Sequence, residues 1–282
     1  MTIIVDSGST KSHWAIVKSD GTRSDIFSSG INPYYQTSDD IRQTILRDIH
    51  FEPDTDHCYI FFYGAGCANS NMNTIVRDAI LAVFPDADCH IDSDMLGACR
   101  ALFGNSNGIA CILGTGSNSC RYDGHDIVEN VSPLGFILGD EGSGAVIGKR
   151  FIGDLLKQQT TREIEQFFHS QYNLSSAQIV ESVYRKTFPN RFLAQFSKFV
   201  SLAMDKLSDH DSIYYLNSLV ESTFRDFFVR NVSHYPSDRV GFVGSVAYHF
   251  RSQLSSVADS LGYDITDIMP DPMNSLVSYH TA

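Results

Sequence analysis

Twice in this chain an apolar run enters a turn of glycine and hydroxyl residues and leaves it as a second β-like run. The first copy is IIVDSGSTKS at residues 3–12 and the second is CILGTGSNSC at residues 111–120. When the two are superposed, Gly8 falls on Gly116, Ser9 on Ser117, Ser7 on Thr115 and Ser12 on Cys120. Short Gly/Ser turns between strands also arise by chance. One at the head of each half of a 282-residue chain nevertheless favours a duplicated pair of domains with a cleft between them. The length agrees, because it is near the size at which a single core stops growing and chains divide.

The residues around each copy extend this reading. The first copy begins a meander: an apolar run at 2–5, the turn, a β-rich run at 13–17, the hairpin signal Ser19-Asp20-Gly21-Thr22 and a third strand near Ile26. Thr37 or Ser38 can cap a helix carrying Ile41, Ile45, Leu46 and Ile49 on one face. A strand at 58–63, a helix over Ile75 to Val83, a strand at 89–91 and a helix from Met95 to Leu102 follow. Three strands and then alternating helices and strands predict an α/β sheet with helices packed on it. The second copy leads into a largely helical stretch at 151–234, a strand at 239–243, a helix opening at Gly244, and Pro270-Asp271-Pro272 before a short helical tail. The expected division is an N-terminal domain at 1–106, with the tail 270–282 packing back on it. The C-terminal domain would span 107–269 with its helical insertion at 151–234.

Composition excludes several roles. With 21 Lys+Arg against 33 Asp+Glu the formal charge is −12, and there is no basic stripe for nucleic acid or an anionic membrane. No apolar run approaches the ~20 residues that span a bilayer. The N-terminus, Met-Thr-Ile-Ile-Val-Asp, lacks the basic region and cleavage site of a signal peptide, so a cytoplasmic location is expected. The six cysteines (58, 67, 89, 99, 111 and 120) form no CxxC pair and no zinc spacing, so they read as small core residues.

Four segments could carry chemistry. Asp6-Ser7-Gly8-Ser9-Thr10-Lys11 and Gly114-Thr115-Gly116-Ser117-Asn118 have the make-up of anion nests, with backbone N–H groups turned one way and hydroxyls adding donors. Neither is a Walker P-loop or a GxGxxG, and each alone is more often a plain hairpin turn. Together they can grip a polyphosphate. Asp6 then sits where its Mg²⁺ needs one carboxylate, although a turn-starting Asp that bonds its own backbone is a common alternative. Phosphoryl transfer to an alcohol needs a base, and Asp92 and Asp94 both end a strand; either could simply cap the following helix. Gly139-Asp140-Glu141-Gly142-Ser143-Gly144 could hold sugar hydroxyls or serve as a charged helix start. Gly241 to Ala247 could let an adenine lie against backbone.

In this order and spacing the four segments resemble the sugar-kinase branch of the actin-like ATPase superfamily. More narrowly, the chain resembles the N-acetylglucosamine kinase family, within the larger group that includes benzoyl-CoA reductase and dehydratase activator ATPases. The selective pieces are GTGSNSCR at 114–121 and GDEGSG at 139–144; the strand–DxGST start and VGSV at 243–246 belong to the superfamily at large. The resemblance covers nearly the whole chain. It implies a two-domain actin-like fold (a ribonuclease H-like duplication) with an inter-domain cleft, and an ATP-dependent kinase acting on a hydroxyl of an amino sugar, usually the 6-hydroxyl. It assigns Asp94, opening DMLG, as general base. Asp6 would bind Mg²⁺ through water, and Gly8, Ser9, Thr10 and Lys11 would form the first phosphate turn. Gly114, Thr115, Gly116 and Ser117 would form the second, with Gly244 and Ser245 at adenosine and Asn32, Asn118 and Asp140 on the sugar. A homodimer is the family habit.

Two departures accompany it. Gly64-Ala65-Gly66 stands where relatives commonly have a Ser near the substrate, and the tail at 273–277 lacks a glycine pair seen in longer relatives. The rival readings are an activator ATPase working through an iron–sulfur cluster, which needs solvent-facing cysteines, a sugar sensor that binds without phosphorylating, and a kinase of N-acetylmuramic acid or glucosamine. The zinc-bearing glucokinase-like repressor family is disfavoured for want of its cysteine motif.

Overall fold

The computed structural model describes residues 1–8, 10–51, 57–237 and 239–281. The chain divides into two compact units. One comprises Met1–Asn107, Asp123–Asp126 and Asp271–Ala282, and the other Gly108–Tyr122 and Ile127–Pro270.

The first unit follows the order β1 (Thr2–Ser7), β2 (Lys11–Val17), β3 (Arg23–Ser29), α1 (Ser38–Asp48), β4 (Tyr59–Gly64), α2 (Ser70–Leu81), β5 (Asp88–Ser93) and α3 (Asp94–Phe103). These are the elements and the order that the hydrophobic periodicity predicts. The sheet order is β3-β2-β1-β4-β5, with β1–β2 and β2–β3 antiparallel and β1–β4 and β4–β5 parallel. Alternation along the strands sorts two faces. Ile3, Val5, Trp14, Ile60 and Phe62 point to one, where Ile41 and Ile45 of α1 and Val76, Ala79 and Ile80 of α2 complete a core. The opposite face is covered by α3 and the C-terminal helix of the chain, which buries Met273 and Leu276 there. Thr37 caps α1 through a full capping box with Asp40.

The second unit contains β6 (Gly108–Leu113), β7 (Ser117–Tyr122), β8 (Ile127–Val131), α4 (Gly135–Leu138), α5 (Gly144–Leu156), α6 (Arg162–Gln171), α7 (Ser176–Tyr184), α8 (Pro189–Lys206), α9 (His210–Arg230), β9 (Arg239–Val243), α10 (Ser245–His249), α11 (Arg251–Leu261) and β10 (Asp264–Met269). α12 (Met273–Thr281) is the C-terminal helix packed in the first unit. The second sheet runs β10-β9-β6-β7-β8, with β6–β7 and β7–β8 antiparallel and β6–β9 and β9–β10 parallel. This repeats the topology of the first sheet strand for strand, the architecture of the actin-like fold. The helices α5 to α9 pack around Phe151, Phe168, Phe196, Phe199, Phe224 and Phe227.

Two edge strands were not legible in the periodicity, and the reason is physical. Ile127–Val131 and Asp264–Met269 are each paired on one side only and expose much of their length, so the sequence IVENV and DITDIM carries charge where a buried strand would carry apolar residues. Among the described residues no helix is long and apolar enough to cross a membrane.

Candidate functional site

In an open α/β sheet, ligands gather where parallel strands end. In the first unit those ends are Ser7 of β1, Gly64 of β4 and Ser93 of β5. Asp6 pairs across β2 with His13 and across β4 with Tyr63, on the sheet face that carries α3 and α12. Burial is the main cause that lifts its carboxyl to about 7, and the charges of Asp94 and Asp271 lift it further. Asp94 is the first residue of α3. Ser93, not Asp94, is the cap, accepting the Leu96 N–H, while Asp94 Oδ1 accepts the Met95 N–H at 2.9 Å. Burial raises Asp94 to about 6 despite that hydrogen bond. Two carboxyls in one partly dry patch, both pushed toward neutrality, are what a proton-accepting or cation-binding site requires.

Asn32 is joined to this patch through Ser7. The Ser7 hydroxyl donates to Ile31 O at 3.0 Å, accepts the Ile31 N–H at 3.1 Å, and stands 2.6 Å from Ser12 Oγ. Asn32 is buried, its Oδ1 accepts the Tyr34 N–H at 3.0 Å, and a Cβ on Gly66 would lie 2.5 Å from that oxygen. The Gly64-Ala65-Gly66 departure therefore places backbone against Asn32. Gly8 and Thr10 are exposed in the turn, closed by Gly8 N–H to Lys11 O at 3.1 Å; Ser9 lies outside the described residues. Lys11 Nζ is 3.6 Å from the Phe27 ring centroid.

In the second unit three loops converge. The turn at 114–116 is closed by Gly114 N–H to Gly116 O at 3.0 Å. It is joined to the start of α5 by Gly144 N–H to Gly114 O at 2.8 Å and Ala145 N–H to Thr115 O at 3.1 Å. Gly244 approaches so closely that a Cβ there would sit 2.3 Å from Leu113 O, and its φ of +124° is one that L side chains rarely adopt. Ser245 is exposed at the start of α10. Asp140 accepts the buried Ser117's N–H at 3.3 Å and would lie 3.1 Å from a Cβ on Gly116. Burial raises it to about 6; the Ser117 N–H opposes the shift and Glu141 adds to it. Glu141 points elsewhere, to Asn231 Nδ2 at 3.3 Å and Arg230 Nη1 at 3.4 Å, so the two acids of GDEGSG part company. Ser143 is the cap of α5. Asn118 Oδ1 accepts from Ser119 N and from Asn130 Nδ2, both at 2.9 Å.

Asp271 is the residue that sequence reasoning passed over. Its carboxylate accepts the Met273 N–H at 3.1 Å ahead of α12 and adds to the field at Asp6. The signal was there, since an acid two residues before a helical run is a cap, but Pro270-Asp271-Pro272 reads first as a chain breaker. The cysteines are core residues: five are buried and Cys89 is partly buried, and burial raises the thiols of Cys67 and Cys89 to about 12.

The residues suit Mg²⁺ in one way only. Among the described residues no three His, Cys, Asp or Glu side chains could hold an ion by themselves. Asp6, crowded by like charge, suits a cation that keeps most of its waters and arrives with phosphate oxygens.

A model of the BadF/BadG/BcrA/BcrD ATPase family matches residues 5–221. No curated protein matches the chain. Among solved structures, a candidate N-acetylglucosamine kinase of Porphyromonas gingivalis is 45% identical over 99% of this chain and 98% of its own, with a TM-score of 0.91. A candidate N-acetylglucosamine kinase of Chromobacterium violaceum (16% identity, 99% and 98% covered, TM-score 0.65) shares the fold. So does a glucokinase of the ROK family from Streptomyces griseus, solved with glucose and AMPPNP (15% identity, 99% and 97% covered, TM-score 0.64).

Proposed function

The chain belongs to the BadF/BadG/BcrA/BcrD ATPase family, and on that premise we propose that it is an ATP-dependent kinase that phosphorylates an amino sugar such as N-acetylglucosamine on its 6-hydroxyl. The Porphyromonas gingivalis relative, aligned over almost the whole of both chains, supports the sugar class.

The observation that carries this reading is Asp94, a carboxylate at the head of a helix whose affinity for a proton burial raises toward neutrality. In our reading it accepts the proton of the attacking hydroxyl; a base of this kind contributes roughly 10²–10⁴-fold. Asn32, Asn118 and Asp140 are assigned to the sugar's hydroxyls and acetamido group. In this reading Gly114, Thr115, Gly116 and Ser117 line the phosphates, as do Gly8, Ser9, Thr10 and Lys11, and the glycine cradle at Gly244 and Ser245 admits adenosine. Mg²⁺ bound near Asp6 would supply charge neutralisation for the phosphate oxygens. The chain itself orients the reactants and holds the proton acceptor.

The test is ADP release measured with a panel of amino sugars and hexoses, followed by NMR of the product. ADP release that rises at least tenfold with N-acetylglucosamine, giving the 6-phosphate, is the expected result. Release that no sugar stimulates would sink the kinase reading, and a product phosphorylated elsewhere would sink the choice of hydroxyl.

A further inference from the structure

A polar cluster on the α3/α12 face of the first sheet has no part in the chemistry above, yet its contacts lead to Asp94. Tyr63 lies on β4 directly across from Asp6. Its ring is the floor on which α3 rests: a Cβ on Gly97 would fall 2.9 Å from Tyr63 Cγ and 3.0 Å from its Cβ, so a side chain there would push the helix away. The Tyr63 hydroxyl is 2.7 Å from Arg100 Nη1 and 2.7 Å from His280 Nε2. A guanidinium has donors and no acceptor, so the hydroxyl accepts from Arg100, and its hydrogen bond with His280 takes the direction that the imidazole tautomer sets. Burial first, then the charges of Arg100 and His90, depress His280 to about 4 and keep it neutral. The His280 ring is stacked on Phe61 with centroids 3.8 Å apart, and Arg100 also reaches Asp92 Oδ2 at 3.3 Å. One hydroxyl thus joins β4, the last turn of α3 and the last turn of α12.

We propose that Tyr63 is a positioning residue, whose hydroxyl, held between Arg100 and His280, fixes α3 on its sheet and thereby sets the carboxylate of Asp94. The inference rests on the reading of Asp94 as the base. Ser93 caps α3, but that bond lies within the helix start and does not seat the helix on the sheet. Gly97 and Arg100, three and six residues beyond Asp94, are the points where α3 meets Tyr63. A short helix moves as a unit, so a shift at those points moves Asp94.

Tyr63→Phe keeps the ring and deletes the hydroxyl. The expected outcome is a kcat lowered about tenfold to hundredfold, the scale of a misplacement near 1 Å, with KM for ATP and sugar within about twofold. Arg100→Lys, which retains a donor, should keep more of kcat than Arg100→Met. A folded Tyr63→Phe enzyme with kcat within twofold of wild type overturns the proposal, as does a loss confined to KM. A second readout does not require turnover: the carboxyl carbon resonance of Asp94 in ¹³C-aspartate-labelled protein, assigned by its loss in Asp94→Asn. It should move in Tyr63→Phe while that of Asp209 in the other unit stays; an unmoved Asp94 signal overturns the inference. If no sugar stimulates wild-type ADP release, the kinase reading fails and the resonance alone decides the positioning role.

Discussion

Replacing Asp6 by asparagine should make the protein more stable, and the gain should depend on pH in a calculable way. The folded-state value of about 7 stands against 3.8 in an unstructured chain, a difference of 3.2 pH units. At about 1.4 kcal/mol per unit this is roughly 4 kcal/mol. A carboxyl that holds its proton more tightly when folded leaves stability untouched well below pH 4. It erodes stability as pH rises from about 4 to about 7, and the loss is complete above that. Asparagine carries no charge at any of these values. The variant should therefore exceed wild type by about 4 kcal/mol at pH 8, by about 2 kcal/mol at pH 5 and by about 0.6 kcal/mol at pH 4. The assay is built into the molecule. The only tryptophan, Trp14, is fully buried on β2 opposite Val5 of β1, so urea unfolding followed by its fluorescence reports the first unit. A variant no more stable than wild type at pH 8, or a gain of equal size at pH 5 and pH 8, refutes the reasoning. The same variant should lose stabilisation by ATP and Mg²⁺, the exchange of stability for function expected at a site of this kind.

Further outcomes follow from the same geometry. Asp94→Asn should lower kcat by roughly 10²–10⁴-fold in a protein that melts no lower than wild type by circular dichroism, and in the wild type the acid limb of kcat/KM should bend near pH 6, activity falling as the base gains its proton. Asp140→Asn should raise KM for the sugar about tenfold or more with a smaller change in kcat, measured by steady-state ADP release, since it trades a charged acceptor for a neutral one. Gly244→Ala meets Leu113 O at 2.3 Å and an unsuitable φ together, so urea unfolding should show a loss of about 3 kcal/mol or more, with ATP no longer raising the melting temperature.

How much of this was legible in the sequence depends on which force placed each residue. Buried strands and helices were, because Ile3, Val5, Ile60, Phe62 and the α1 and α2 faces follow the periods that burial imposes. The edge strands β8 and β10 were not, because IVENV and DITDIM place charge where a buried strand would be apolar. At the site, residues set by local backbone chemistry were legible: glycines at turns, and acids at the ends of strands. Asp271 and the Tyr63–Arg100–His280 cluster were not, because their neighbours come from distant parts of the chain. His280 is 217 residues from Tyr63, and no local pattern records that pairing.

The two sheets share strand order and direction but not chemistry, and the turns at their heads show why duplication alone could not predict the roles. In the first hairpin the last cross-strand pair is Ser7–Ser12; in the second it is Leu113–Ser117, so the second turn is the tighter. The superposition that puts Gly8 on Gly116 puts Asp6 on Gly114. A carboxylate in the second position would repel the phosphates that the Gly114 to Ser117 turn is proposed to bind, and a glycine in the first would remove the charge proposed to face Mg²⁺. In the first unit burial raises Asp6 and Asp94, and the charges of Asp94 and Asp271 add to the shift at Asp6. In the second unit Asp140 lies against the Ser117 N–H and Glu141 is turned to Asn231. The corresponding strand ends of the two copies thus differ in the side chain they carry, acid in the first and glycine in the second. Asp6→Gly and Gly114→Asp, made separately, should each abolish ATP-dependent stabilisation, because neither strand end tolerates the other's residue.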